Sequence, residues 1–392
     1  MKVSHRANSI KPSPTLAVSA KAAELKAAGK DIISLAAGEP DFDTPDFVKA
    51  AAIKSIEEGF TKYTAVDGTP GLKKAIQNKF KQENDLDYDL DQILVSVGCK
   101  HSIYNLMQAV LDPGDEVIIP APYWVSYPDM VQLTGAEPVI LKTSIDDDFK
   151  ITPQQLKGAI NENTRMLIIN SPSNPTGSNY TEEELRALGK VLIDHPEILI
   201  ASDDIYEHIL WGADRFVNIV NACPELYTQT IVLNGVSKAY SMTGWRIGYA
   251  AGSVDVIKAM KKIQSQSTSN PASTAQVAAQ AALEGDQSVV LEWCQLFKTR
   301  HDFVCEALNK IEGVRCRPSE GTFYSFPDMN DVIDRLPSVN NDIELAEFLL
   351  EEAEVAVVPG SAFGAPGCMR LSYATSMDLL EESLSRMAKA LG

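Results

Sequence analysis

The chain has 392 residues, 45% of them hydrophobic and 22% charged, and a formal net charge of −18. That length exceeds one compact core and fits two or three domains. The acidity excludes nucleic acid and anionic membrane as partners, since both need a basic face, but leaves room for an anionic substrate held by a few local cations.

Residues 1–14 lack the apolar core of a signal peptide. No apolar run approaches the roughly 20 residues that span a bilayer. Six cysteines without a Cys-x-x-Cys pair fit a reducing compartment, so a cytoplasmic globular protein is expected. There is no His-Glu-x-x-His zinc signature and no Gly-x4-Gly-Lys-Ser/Thr phosphate loop.

In chain order, apolar runs at 92–97, 116–120, 165–170, 198–202, 230–233 and 246–252 predict buried strands. Amphipathic stretches lie between them, among them 181–195, opened by the capping box Thr181-x-x-Glu184. Alternating strands and helices predict an α/β fold with a mostly parallel sheet covered on both faces. Beyond a long helical stretch from about residue 287 the character changes. Strand-like segments at 322–327, 354–359 and 369–373 and a closing helix over 376–391 suggest a smaller α+β domain. The polar stretch 328–342 reads as a surface excursion.

Ligands of open α/β sheets bind beyond the carboxyl ends of the strands. The residues expected there are Gly98-Cys99-Lys100, Ser173-Asn174-Pro175-Thr176-Gly177, Asp203-Asp204-Ile205-Tyr206 and Ser237-Lys238. A lysine held after a strand can form an imine with an aldehyde, and Ser237 and Arg246 could bind a phosphate on the same molecule. Pyridoxal 5′-phosphate is the cofactor that needs both. A nucleophile elbow is not formed, because Gly235-Val236-Ser237-Lys238-Ala239 ends in alanine. Taken alone, Asp203 also reads as a helix N-cap, a purpose Asp204 could serve instead.

These residues together resemble the class I aminotransferases of the fold type I pyridoxal-phosphate enzymes, and most closely the bacterial and plastid aspartate aminotransferase branch. The resemblance runs from Lys11-Pro12-Ser13 through Ala37-Gly38-Glu39-Pro40-Asp41-Phe42 to Arg370-Leu371-Ser372-Tyr373. It implies that Lys238 binds the cofactor aldehyde and then moves the substrate α-proton, while Asp203 pairs with the pyridinium nitrogen. Tyr206 and Asn174 are implied at the cofactor's phenolate oxygen, and Trp124 against the ring. Ser237, Arg246 and the amides of Gly98-Cys99-Lys100 would hold phosphate, completed by Tyr63 of a second subunit, so a homodimer with shared sites is expected. Arg370 and Gly38 are implied at the substrate α-carboxylate, and Lys100, Ser13 and Thr15 at a distal one. The peptide bonds before Pro122 and Pro175 are expected to be cis.

The implied division is 1–45 as a segment joining the small domain, 46–288 as the large cofactor domain and 289–392 as the small domain. The implied reaction is transfer of the aspartate amino group to 2-oxoglutarate, with prephenate transamination left open by the same branch. A carbon–sulfur lyase or an aromatic aminotransferase would have no use for the Lys100 cation. An inactive binding module on this fold would have no reason to retain Lys238, Asp203, Tyr206, Asn174 and Arg370 together.

Overall fold

The computed structural model describes residues 2–10, 12 and 14–392. In chain order the strands are β1 (Ile33–Ser34), β2 (Ile93–Ser96), β3 (Glu116–Ala121), β4 (Glu137–Lys142), β5 (Thr164–Asn170) and β6 (Leu199–Asp203). There follow β7 (Thr230–Gly235), β8 (Gly248–Ala251), β9 (Tyr324–Ser325), β10 (Val355–Ala356), β11 (Val358–Pro359) and β12 (Met369–Ser372).

Seven strands form the main sheet in the order β2-β8-β7-β6-β5-β3-β4. Only β8 runs against its neighbours β2 and β7, while the pairs β3–β4, β3–β5, β5–β6 and β6–β7 are parallel. Strand period explains why both faces are covered. Leu94, Val117, Ile119, Met166, Ile168, Ala201 and Leu233 point into one buried cluster. Their neighbours Ile93, Val95, Ile118, Leu167, Ile169, Ile200 and Val232 point into another on the opposite face.

All six runs expected as strands lie in this sheet, which is the α/β architecture expected. The run 246–252 starts late, at Gly248, because Arg246 takes a left-handed conformation with φ 57°. β4 is the strand that sequence reading missed. None of its six residues is fully buried, so it lacks the continuous apolar run of the inner strands. The Glu182–Ile193 helix has the expected capping box, with Thr181 N–H donating to Glu184 at 2.7 Å and Glu184 N–H to Thr181 Oγ1 at 3.2 Å.

In the C-terminal part the Ser288–Leu308 helix precedes an antiparallel sheet of order β11-β12-β9. β1, from the N-terminal segment, pairs in parallel with β10. The stretch 328–342 is not a plain surface excursion. It contains the Asn330–Arg335 helix, whose Val332 and preceding Met329 are fully buried, so apolar residues diluted by polar neighbours still anchor it. Cis bonds precede Pro122 and Pro175 as expected, and also Pro172.

Candidate active site

The carboxyl ends of β2, β5, β6 and β7 open onto a cavity of about 680 Å³. Lined by it are Thr15, Gly38, Cys99, Lys100, Trp124, Asn174, Asp203, Tyr206, Ser237, Lys238, Arg246 and Arg370, which sequence reading had singled out. Ser13 lies outside the described residues. The cavity gathers Lys100, Lys238, Arg246 and Arg370 against Asp203 and Glu39, a cationic pocket in an acidic chain.

Asp203 closes β6 and is 4% exposed. Tyr127 Oη donates to its Oδ2 at 2.6 Å, and the Ile205 amide and Cys99 Sγ approach Oδ1 at 3.4 and 3.7 Å. Burial raises its pKa to about 6, against the opposing pull of these donors and of Lys238. Its backbone carbonyl accepts from Asn170 Nδ2 at 2.8 Å. Asp204 does not cap a helix, and none follows β6 directly. It turns away into a buried pair of bonds, accepting from Ser202 Oγ at 2.7 Å and Asn218 Nδ2 at 2.5 Å.

Lys238 Nζ donates to the Gly38 carbonyl at 2.6 Å. Burial lowers its pKa to about 8, and the Arg370 charge pushes the same way. A lysine so placed is partly neutral near pH 8 and free to act as nucleophile or base.

Arg370 is 2% exposed and forms no ion pair with any described residue. Its Nη1 donates to Asn174 Oδ1 at 3.1 Å and its Nη2 to the Ala36 carbonyl at 3.0 Å, while Nε has no partner. The guanidinium carbon stands 4.4 Å from the Tyr324 ring centroid and 4.9 Å from that of Phe363. Asn174 is in turn held by its own amide, which donates to Asn170 Oδ1 at 2.8 Å. Tyr206 and Tyr324 share a hydroxyl–hydroxyl bond of 3.1 Å. A buried cation costs several kcal/mol unless an anion joins it, so this arrangement suits an incoming carboxylate.

At the other end, the Cys99–Val110 helix starts at Gly98, which has φ 84°. A Cβ on Gly98 would run into the Arg246 guanidinium, and one on Gly248 would run into the Cys99 amide. Two glycines thus clear a cradle between a helix N-terminus and an arginine, a site shaped for an anion. Arg246 Nη1 donates to the Thr243 carbonyl at 2.7 Å. Lys100 Nζ lies 4.7 Å from the Trp124 ring centroid, and burial with the Arg246 charge lowers its pKa.

The family described as "Aminotransferase class I and II" matches residues 30–387. The chain belongs to that family. It is a pyridoxal-phosphate-dependent transaminase. The aminotransferase is 59% identical, over 100% of both chains, to "Aspartate/prephenate aminotransferase" of Nitrosomonas europaea. Among solved structures it resembles the aspartate aminotransferase of Rhizobium meliloti with a TM-score of 0.97 and 48% identity, covering 100% of this chain and 99% of that one. It also resembles the Thermus thermophilus aspartate aminotransferase with maleate, with a TM-score of 0.93, 41% identity and 100% of both chains covered.

The cavity fits the cofactor of this aminotransferase: an anion cradle at Gly98, a buried acid at Asp203 and a lysine of lowered pKa at Lys238 face one space. Tyr63 is not brought to it. That side chain is 92% exposed and borders a separate hollow with Lys62 and Asn270. Sequence reading missed Tyr127, Asn170 and Tyr324, which hold Asp203, Asn174 and Tyr206. Asn170 ends a predicted strand and could have been found by the same strand-end rule.

Proposed function

We propose that this aminotransferase moves the amino group of L-aspartate to 2-oxoglutarate, giving oxaloacetate and L-glutamate. The observation that carries this reading is Arg370, a buried guanidinium with a free Nε and no acidic partner among the described residues, facing the same cavity as Lys238. A planar fork of donors grips an α-carboxylate with two parallel bonds.

Bound in the cavity, pyridoxal phosphate would supply an aldehyde for the amino group and a ring that accepts electrons from the α-carbon. Ser237, Arg246 and the amides of Cys99 and Lys100 would hold its phosphate, the Gly98 amide being spent on the Ser96 carbonyl at 2.8 Å, and Trp124 would lie against its ring. Asp203, kept anionic at neutral pH by its donors, would hold a proton on the ring nitrogen. Tyr206 and Asn174 would donate to the ring oxygen. Lys238 Nζ would anchor the aldehyde, then take the α-proton and return it. Gly38 and Arg370 would bind the α-carboxylate, and Lys100 with Ser13 and Thr15 the distal one.

Tyr63, exposed on its own subunit, would reach the phosphate of a second copy, making the working unit a homodimer. The segments 1–45, 46–288 and 289–392 would act as arm, large domain and small domain, the arm joined to the small domain by the pairing of β1 with β10.

Prephenate as a second amino acceptor is favoured by the name of the Nitrosomonas relative. Initial rates with L-aspartate and 2-oxoglutarate, read as oxaloacetate, test the first reaction, and prephenate with L-glutamate or L-aspartate tests the second. Cofactor-loaded protein that forms no oxaloacetate from aspartate would refute the main reading.

A further inference from the structure

Tyr127 belongs to the Ser126–Gln132 helix, which begins two residues after Trp124. Its ring stands edge-on to Trp124, with centroids 5.4 Å apart and an interplanar angle of 85°. Tyr127 is 2% exposed, and its hydroxyl is the shortest contact made by the Asp203 carboxylate. The other donors reach Oδ1 at longer range, the Ile205 amide at 3.4 Å and the Cys99 thiol at 3.7 Å. The first turn of this helix and the residue just ahead of its cap thus present the hydroxyl that fixes Oδ2 and the indole face together.

We infer that Tyr127 is a positioning residue for transamination: its hydroxyl holds Asp203 in the ionised form and in one orientation, with Cys99 as a weaker second donor. The inference rests on the reading of Asp203 as partner of the ring nitrogen. It is required by a conflict within the site. A carboxylate buried this deeply gains a proton easily, and a neutral acid would no longer favour a protonated ring. A hydroxyl at 2.6 Å stabilises the anion directly, as charge-assisted bonds of that length do. Cys99 cannot replace it, because a thiol is a weak donor and burial raises its own pKa well above the usual range. The charged and titratable groups facing Asp203 are Cys99 from the Cys99–Val110 helix, Tyr127 from the Ser126–Gln132 helix, Lys238 beyond β7, and Tyr206 on its own segment, while Asp204 turns away to Ser202 and Asn218. Of these only Lys238 carries positive charge, and Tyr127 alone combines a strong donor with contact distance.

The test is Tyr127→Phe, which keeps the ring and removes one oxygen. In apoprotein carrying carbon-13-labelled aspartate, with Asp203→Asn to assign the signal, the midpoint of Asp203 ionisation should rise by about one pH unit or more. In the loaded enzyme the acidic limb of kcat/KM should move up by the same amount. For a one-unit move from about 6, the rate at pH 6.5 should then fall about threefold and largely return by pH 8.5. Cys99→Ala should move both midpoints less. If Tyr127→Phe does not fold, 3,5-difluorotyrosine at position 127, a stronger donor, should lower both midpoints. An unmoved Asp203 midpoint in the apoprotein would overturn the inference. A moved apoprotein midpoint with an unchanged rate profile would support the hold on Asp203 and overturn instead the reading of Asp203 as the ring's partner.

Discussion

Arg370→Lys preserves charge and removes the planar fork. In the structure the guanidinium already spends Nη1 on Asn174 and Nη2 on the Ala36 carbonyl, and its Nε is unpaired. An ammonium in that space keeps a point charge but cannot serve Asn174, Ala36 and a carboxylate's two oxygens in one plane. At least one charge-assisted bond to substrate is then lost, worth about 1.5–3 kcal/mol. Catalytic efficiency should fall by about one to two powers of ten. The loss should be the same for aspartate and alanine, which share the α-carboxylate, while the cofactor's absorbance and uptake stay unchanged. Paired kcat/KM measurements on both amino acids, with a cofactor titration of each protein, make the assay. Efficiency within threefold of the unaltered enzyme would refute the assignment, as would a loss confined to aspartate.

Lys100→Ala should do the complementary thing, costing aspartate about one to two powers of ten in kcat/KM while leaving alanine nearly unaffected, because alanine has no second carboxylate. A uniform loss would instead move Lys100 to cofactor binding. Asp203→Asn should abolish most activity yet stabilise the apoprotein near neutral pH. Folding raises the Asp203 pKa from 3.8 to about 6. The folded state therefore holds more protons between those values, and stability falls as pH climbs from about 4 to about 6, by about 3 kcal/mol in all. Urea unfolding of both apoproteins at pH 4 and pH 7 reads this; a difference between them that does not change with pH would contradict it. Finally, an inactive Tyr63 variant mixed with an inactive Lys238 variant should regain activity once subunits exchange, and full activity from a demonstrated monomer would sink the shared-site proposal.

The inner strands could be read from sequence because both their faces are buried, so Ile93–Ser96 and Thr230–Gly235 are built around the apolar runs 93–95 and 231–233. Lys238 and Asp203 were legible for a related reason: a charged residue closing such a run lies where ligands bind in this architecture. The edge strand Glu137–Lys142 offered no such contrast, since half its environment is solvent. Tyr127 was hidden by distance. It sits 76 residues before the carboxylate it holds, and nothing local distinguishes it from Tyr123, which lies three residues from the same helix start. Tyr324 was likewise read only as part of a strand-like segment, because its partner hydroxyl on Tyr206 is 118 residues away. Arg370 carries no local signal of its own, a lone arginine at the edge of a short strand-like segment. Only the family resemblance marked it, and the fold then proved to bury it.

The parallel pairing of β1 with β10 sets an order of events during synthesis. Every strand of the main sheet leaves the ribosome before Val355–Ala356 exists, so the face bearing Asp203 and Lys238 can assemble while β1 still waits for its neighbour. Arg370 emerges later still, and it closes its bond to the Ala36 carbonyl only after nearly the whole polypeptide has been made. A nascent chain therefore acquires the surface that would hold the cofactor first and the arginine that would hold the substrate last. A message cut short between the codons for Ala251 and Arg370 still encodes every strand of the main sheet with Asp203, Lys238 and Arg246, and lacks only the arginine's side of the pocket.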